Sequence, residues 1–321
     1  MSPTLSLLRA CGSAASPGGR RARLSTLIYH RVHPSMDPLF PGEVDAARFD
    51  LTLGWLKQLF NVIPLGEAVD RLQAGTLPAR PACITFDDGY ADNESVALPL
   101  LKKHGLHATF FVSSGYLDGG RMWNDTLIEA VRAYQGDRLD LSHMDLAVYP
   151  TSTAAEKRAV IDALIDAHKY LPPAKRQHSV NAVAEHAGVS LPRDLMMTSD
   201  QVRGLSAAGM TVGAHTVSHP ILSSLDADRA RSEIAQARET LQAITRDPVD
   251  LFAYPNGKPE KDYLPAHVSM VRQLGFKAAV STAHGTARHG DDVFELPRFT
   301  PWDRTPARFG LRLLRNSVGA L

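Results

Sequence analysis

The sequence lacks several features that would define its class at once. Only two cysteines occur, Cys11 and Cys83, so the chain has no disulfide framework, and their separation does not match a zinc-site spacing. No apolar run reaches the roughly 18 residues of a membrane span. The 35 basic and 34 acidic residues leave a net charge of +1, which excludes electrostatic recruitment of nucleic acid or anionic lipid. We expect a globular protein with no membrane span and no nucleic-acid partner.

Acidic residues are also missing from the N-terminus, where the first is Asp37. Residues 1–24 contain several Ser, Gly and Arg residues, and the apolar stretch Leu5–Leu8 is too short for the core of a secretory signal. An organellar transit segment has a similar composition, as does a plain terminal extension. We expect residues 1–24 to form a flexible tail. Because no export signal is recognisable, we expect a cytoplasmic location.

From residue 25 onward, short apolar segments alternate with amphipathic helical patterns. The apolar residues of these segments run without alternation, which is typical of parallel strands covered on both faces. Apolar residues at steps of three and four predict helices between them, for example over Asp226–Ile244. Such alternation favours a wound parallel sheet or a barrel. The predicted strands are 26–29, 82–86, 108–112, 210–214, 250–254 and 277–281.

One stretch interrupts this alternation. Between about residues 121 and 197 the pattern predicts several helices and no strand, with Thr153 and Glu156 as a capping box. No Gly-, Pro- or Ser-rich linker separates this stretch from its surroundings. We therefore predict a single α/β domain over residues 25–321 with a helical insertion.

Two adjacent acids follow the second predicted strand, in the run Ile84-Thr85-Phe86-Asp87-Asp88-Gly89-Tyr90. In parallel α/β folds, ligands bind at the carboxyl ends of the strands. Adjacent carboxylates repel, so both stay ionised only when a cation or a proton lies between them. Ordinary turn chemistry also explains a strand followed by Asp-Asp-Gly, and the motif alone leaves both interpretations open.

Two histidines follow the fourth predicted strand, in the run Gly213-Ala214-His215-Thr216-Val217-Ser218-His219-Pro220. Histidines four residues apart can meet on one face of a turn, and neutral imidazoles suit zinc. Pro220 disfavours helical geometry at His219, so we expect a loop or a single turn. Surface or capping histidines are the alternative for this pair taken alone.

The two motifs together favour a catalytic metal site. Each follows a predicted strand, so both can open on the same rim of the fold. One carboxylate and two imidazoles leave positions open for water and substrate. We expect a divalent ion, first Zn2+, with Co2+, Ni2+ and Fe2+ as alternatives.

With these residues, the sequence resembles the polysaccharide deacetylases, the NodB-homology domain of carbohydrate esterase family four. The resemblance spans about residues 25–300. It implies a distorted (β/α) barrel that removes acetyl groups from N-acetylglucosamine units of a glycan. By that resemblance Asp87 is the general base, and Asp88, His215 and His219 hold the metal.

The sequence departs from the family pattern at two places. Ala253 stands where the third motif usually has Arg, and the usual late Leu-x-His motif is missing. Both departures are similar to the branch containing biofilm poly-N-acetylglucosamine deacetylases, whose barrel is circularly permuted. In that branch the catalytic acid comes from an early motif similar to Leu27–Val32, which implies His30 as the general acid here. Arg298 is the best replacement for the missing Arg, because a cation beside Asp87 keeps that carboxylate ionised; a surface Arg is the alternative.

Several residues are candidates for substrate contact. Backbone N–H groups near Tyr90 are expected to stabilise the oxyanion. Pro255 belongs to the stretch expected to shape the pocket, and Tyr254, Trp302 and Trp123 are candidate sugar-stacking aromatics. Core packing is the alternative for each aromatic ring.

Two other functions stay open at this point. A non-catalytic carbohydrate-binding protein on the same fold is one, because the third motif is degenerate. A non-haem iron oxygenase also uses two histidines and one carboxylate, although its usual spacing differs from Asp88 followed by His215 and His219. The sequence predicts neither the particular glycan nor the oligomeric state.

Overall fold

A curled parallel sheet forms the centre of the computed structural model, which describes residues 3–318. Residues 1–2 of the predicted tail and 319–321 of the predicted barrel domain lie outside the described residues. The strands are β1 (Ser25–Tyr29), β2 (Asn61–Val62), β3 (Pro81–Phe86), β4 (Thr109–Val112), β5 (Arg138–Asp140), β6 (Val148–Pro150), β7 (Thr211–Ala214), β8 (Leu251–Ala253) and β9 (Ala278–Val280).

The main sheet has the order β1-β3-β4-β7-β8-β9, and every pairing in it is parallel. The short β2 pairs with the N-terminal end of β3. An extended segment, residues 296–299, closes the sheet, because Leu296 bridges to Val280 of β9 and Phe299 bridges to Leu27 of β1. The predicted distorted (β/α) barrel is therefore confirmed, and the open wound sheet is not the fold.

Helices connect the strands and cover the outside of the sheet. The six predicted strands all appear within a residue or two of their predicted bounds, as β1, β3, β4, β7, β8 and β9. Within residues 3–318 no helix is both long enough and apolar enough to cross a membrane. The helices are α1 (Pro3–Ala15), α2 (Ala46–Leu59), α3 (Leu65–Ala74), α4 (Leu98–His104), α5 (Trp123–Ala133), α6 (Ala154–His168), α7 (Pro173–Ala187), α8 (Ser199–Ala207), α9 (Ala227–Thr245), α10 (Pro265–Gln273) and α11 (Pro306–Val318).

The predicted helical insertion contains α5, α6 and α7, which pack around a small core of their own. Thr153 caps α6 as predicted, with Glu156 completing the capping box. The expectation of no strand in this stretch is wrong, because β5 and β6 form an antiparallel pair. Each of these strands has only three residues and is largely exposed, so neither carries a readable apolar pattern.

The expected flexible tail is also wrong for the part of it that the structure describes. Residues 3–15 form α1, which packs against α11 at the other end of the chain. Leu5 is only 8% exposed, and Leu8 on the same face packs against the main core. The segment looked unpartnered in the sequence because its partner helix begins at Pro306.

The docking of α1 predicts unequal effects of two leucine substitutions in this helix. Leu5→Ala should lower the free energy of unfolding by about 2 kcal/mol, because it removes buried apolar volume. Leu7 is 65% exposed, so Leu7→Ala should change stability by less than about 0.5 kcal/mol. Urea denaturation followed by circular dichroism measures both. Equal small effects would mean that α1 does not dock on α11.

Candidate active site

Two carboxylates emerge where the fully buried strand β3 ends. The backbone N–H of Asp87 still bonds to the carbonyl of Tyr29 in β1, and the chain then turns sharply. Asp88 has a φ of 76° and Gly89 a φ of 92°. A Cβ at Gly89 would lie 2.9 Å from Cγ1 of Val112, so only glycine fits this turn. The turn directs Asp87 and Asp88 to the same edge of the barrel.

The histidine motif forms a loop at the end of β7, as predicted, and β4 is the one strand between β7 and β3 in the sheet. Glu233 of α9 fixes this loop by accepting hydrogen bonds from the backbone N–H groups of Val217 and Ser218, at 2.9 and 2.8 Å. The Thr216 hydroxyl accepts a further bond from the N–H of His219. The loop is thereby held without helical hydrogen bonds.

Backbone strain is concentrated at this edge of the barrel. Four non-glycine residues there have positive φ: Asp88 at 76°, Thr216 at 63°, His219 at 50° and Asn256 at 58°. Such conformations cost of the order of 1 kcal/mol or more each and persist only where the surroundings enforce them. Their grouping around one point is typical of a site whose side-chain directions matter more than local stability.

Asp88, His215 and His219 form a cluster whose ligand atoms lie within 4.8 Å of one another. Oδ1 of Asp88 lies 3.4 Å from Nε2 of each histidine. Neither contact has hydrogen-bond geometry, so within the described chain this buried oxygen has no hydrogen-bond partner. A buried carboxylate oxygen facing two imidazole nitrogens fits a divalent cation, which would satisfy all three atoms.

The two histidines differ in protonation, although the ring nitrogens of both face the cluster. Nδ1 of His215 lies 2.8 Å from the carbonyl oxygen of Ala253 and donates to it, which leaves Nε2 free to bind an ion. Burial lowers the pKa of His219 to about 4, so that imidazole is neutral near pH 7. Burial also acts to lower the pKa of His215, but Asp87 and Asp88 raise it above its ordinary value. A cation would therefore compete with a proton at His215.

Arg298 pairs with Asp87 through both guanidinium nitrogens, each 2.6 Å from a carboxylate oxygen. Both residues are buried, at 1% and 2% exposure, and Arg298 also donates to the carbonyl of Ser281. Burial alone would raise the pKa of Asp87, but Arg298 and His215 hold it below its ordinary value. Arg298 is therefore a buried partner of Asp87. The alternative interpretation, that Arg298 is a surface residue, is wrong.

His30 lies at the end of β1, exposed at the mouth of a cavity of about 450 Å³. Asp88, Tyr90 and Trp302 line the same cavity. The side-chain amide of Asn93 donates to the His30 carbonyl at 2.8 Å and so holds the backbone at this position. The structure thus brings His30 to the same rim as the two carboxylates.

Tyr90 also lines this cavity. Among the residues that the structure describes, no acceptor takes a hydrogen bond from its N–H group. The phenol is buried and donates to Oδ1 of Asp125 at 3.1 Å. Burial raises the pKa of Asp125 to about 7, Arg31 opposes that rise, and Asp88 adds to it. Asp125 was not predicted, because a single acid at the start of an insertion helix carries no local signal.

The predicted aromatic contacts divide into two groups. Trp302 is 50% exposed and lines the large cavity. Trp123 is mostly buried in the insertion and lines a second, smaller cavity. Tyr254 is fully buried and stacked on Tyr263 with 3.9 Å between ring centroids, and Pro255 is also buried. The prediction that Tyr254 stacks on a sugar and that Pro255 contacts it is therefore wrong, because both side chains are buried and neither lines the large cavity or the smaller one.

The fold and this arrangement define a parallel barrel with a carboxylate–arginine pair beside an Asp-His-His cluster. The family profile described as polysaccharide deacetylase matches residues 74–279. The chain belongs to the polysaccharide deacetylase family.

Known proteins resemble this chain along most of its length. The protein of Bacillus subtilis strain 168 named polysaccharide deacetylase YxkH is 20% identical over 279 residues, which cover 86% of this chain and 71% of that protein. The structure of the Streptococcus pyogenes deacetylase PplD is similar to this one, with a TM-score of 0.61 and 20% sequence identity. The match covers 91% of this chain and 98% of the PplD chain. IcaB from Ammonifex degensii has a TM-score of 0.60 at 20% identity, covering 94% and 98%. The two structures share the fold.

The buried pair of Asp87 and Arg298 predicts strong coupling in stability. Arg298→Met should lower the free energy of unfolding by about 3–5 kcal/mol, because it leaves a buried carboxylate without its cation. The double variant Asp87→Leu with Arg298→Met should recover most of that loss. Arg71→Met, which breaks a half-exposed pair with Glu67, should cost less than about 1 kcal/mol. Urea denaturation gives all values, and a small loss for Arg298→Met would contradict the buried pairing.

Proposed function

We propose that the protein is a metal-dependent hydrolase that removes N-acetyl groups from N-acetylglucosamine units of a polysaccharide or related glycan. The observation that carries this proposal is the Asp88, His215 and His219 cluster, with the paired carboxylate of Asp87 next to it. Nε2 of His215 lies 3.9 Å from Asp87, so a water bound at the cluster would be within reach of that carboxylate.

The cluster suits zinc, with Co2+, Ni2+ and Fe2+ as alternatives. Its two imidazole nitrogen ligands and one oxygen ligand match the sites of hydrolytic zinc, which keep a position open. When bound, such an ion would polarise the acetyl carbonyl and lower the pKa of a bound water. Asp88, His215 and His219 are the residues that would hold it.

Asp87 is suited to act as the general base. Arg298 occupies both of its oxygens in one plane, keeps it ionised and fixes its direction. An ionised, immobile carboxylate can take a proton from the attacking water without reorganisation. The cation that the third motif usually supplies thus comes here from the closing segment, residues 296–299.

His30 and Tyr90 complete the reaction. His30 is exposed at the cavity mouth, where it can donate a proton to the leaving amine nitrogen. The free backbone N–H of Tyr90 can donate to the carbonyl oxygen as negative charge develops on it. The exposed ring of Trp302 lies in the same cavity and offers a flat face for a sugar.

A non-catalytic carbohydrate-binding protein is the remaining alternative. This alternative was argued from the missing Arg of the third motif. Arg298, which pairs with Asp87, supplies a cation at that carboxylate and so weakens the argument. A non-haem iron oxygenase would use the same ligand types, but its usual sequence spacing differs from Asp88 followed by His215 and His219, which favours the hydrolase. A cytoplasmic location stays a prediction, which cell fractionation with an antibody to this protein would test.

The assigned roles of base and ligand predict different losses in two variants. Asp87→Asn should lower the rate of acetate release by about 10²–10⁴-fold while metal stays bound, since it removes the base but no ligand. His215→Ala should lose both activity and metal. Acetate release from an N-acetylglucosamine tetramer and elemental analysis of the purified variants measure these effects. A near-normal rate for Asp87→Asn would reject Asp87 as the general base. Full activity of metal-free wild-type protein would reject the metal dependence.

The assignment of His30 as the general acid predicts that a substitution at this residue also lowers activity. His30→Ala should be almost inactive with its metal content unchanged, because only the proton donor to the amine is removed. His178→Ala is the matched control, since His178 is exposed on α7 and lines neither cavity. The same acetate and metal measurements apply. Full activity of His30→Ala would mean that the acid comes from elsewhere.

A further inference from the structure

A second cavity, of about 180 Å³, reaches the metal-binding cluster from the helical insertion. It shares Asp88 and Asn124 with the large cavity, so the two form neighbouring parts of one cleft. Trp123 of α5 and Asn256 of the β8 loop form part of its wall, together with His219. A group bound in this cavity would lie beside the acetyl group that the cluster processes.

Two cations line this second cavity, and neither has an acidic partner among the residues that the structure describes. Arg176 of α7 is only 8% exposed, its guanidinium lies 4.8 Å from the ring centroid of Trp123, and it donates to the carbonyl of Lys169. Lys169 lines the cavity as well, with its ammonium 5.9 Å from the ring of Tyr170. In the described part of the chain no carboxylate lies within 4.0 Å of either side-chain cation.

The large cavity differs from the second one in this respect. Three arginines line it: Arg31 pairs with Asp92 at 2.8 Å and Arg132 pairs with Asp37 at 2.7 Å, whereas Arg48 donates to the backbone carbonyls of Gly42 and Trp302. Four acids, Asp37, Glu43, Asp88 and Asp125, line this cavity with the three arginines, so a neutral sugar can bind there without meeting an excess of positive charge. In the second cavity, a buried guanidinium and an ammonium without counter-charge are costly unless an anion binds between them.

We propose that the second cavity binds an acidic group of the substrate, a carboxylate or a phosphate carried by the glycan beside the N-acetyl group. This inference rests on the proposed deacetylase function. Arg176, fixed by Trp123, presents a planar donor suited to oxyanions, and Lys169 adds a second charge. The preferred substrate is thus an acidic N-acetylated glycan rather than a neutral polymer.

Three matched substrates test this proposal: an N-acetylglucosamine tetramer, the same tetramer with one carboxymethyl group, and the same tetramer with one phosphate. The wild-type KM for acetate release should be about tenfold lower for at least one acidic tetramer than for the neutral one. Arg176→Gln and Lys169→Gln should each remove most of this preference and leave the neutral tetramer unaffected. The difference between the two acidic tetramers identifies the preferred anion.

Lys175→Gln is the control, because Lys175 neighbours Arg176 on α7 but is exposed and lines neither cavity. Thermal melting shows whether Arg176→Gln still folds, and the half-buried Lys169 provides the second variant. Equal KM values for all three tetramers in the wild type would overturn the proposal, as would equal losses on neutral and acidic tetramers in the folded variants.

Binding to the Asp87→Asn variant, measured by calorimetry, separates this proposal from the deacetylase function. Absence of acetate release from every tetramer would reject the deacetylase function. Tighter binding of an acidic tetramer would still support the anion site in that case. Equal binding of the neutral and acidic tetramers would reject the site.

Discussion

Closure of the barrel by residues 296–299 is the constraint on which the rest of the site depends. This segment bonds to β9 on one side and to β1 on the other, and it carries Arg298 between the two contacts. The guanidinium can reach Asp87 only because the last part of the chain returns beside the first strand. The buried ion pair in turn holds Asp87 charged in an apolar interior, where an unpaired carboxylate would be protonated or would destabilise the fold.

The site combines rigid support with local strain. The strands that deliver Asp87, Asp88 and His215 are largely buried and each has a parallel neighbour on both sides, while the turns that follow them adopt unfavourable backbone conformations. Glu233 and the carbonyl of Ala253 hold the histidines from outside the cluster. Ala253 thus keeps a role in the site through its backbone, although its side chain cannot replace the usual Arg. Rigid strands followed by strained turns are expected where side-chain directions must be exact and where the surrounding scaffold offsets the free-energy cost of the strain.

Much of this architecture was predictable from local patterns. The six central strands, the capping box at Thr153 and the loop at His215–His219 each depend on neighbouring residues, and all appear in the structure. Contacts between distant segments were harder to predict. Local patterns did not predict three such contacts: the packing of α1 on α11, the pairing of β5 with β6, and the hydrogen bond between Tyr90 and Asp125. The predicted substrate contacts of Tyr254 and Pro255 were wrong for a related reason, because the position of a residue in a motif does not show whether its side chain is buried.

The strand pattern, the two chemistry-bearing motifs and the resemblance to polysaccharide deacetylases follow from local sequence, because each is encoded in a few consecutive residues. The assembled fold alone shows that Arg298 pairs with Asp87, that His30 shares a rim with Asp88, and that Arg176 lies beside the cluster with no acidic partner among residues 3–318. These facts depend on where the closed sheet and the insertion bring distant segments together. Burial and charge balance are properties of that assembled environment, and no local stretch of the chain contains them.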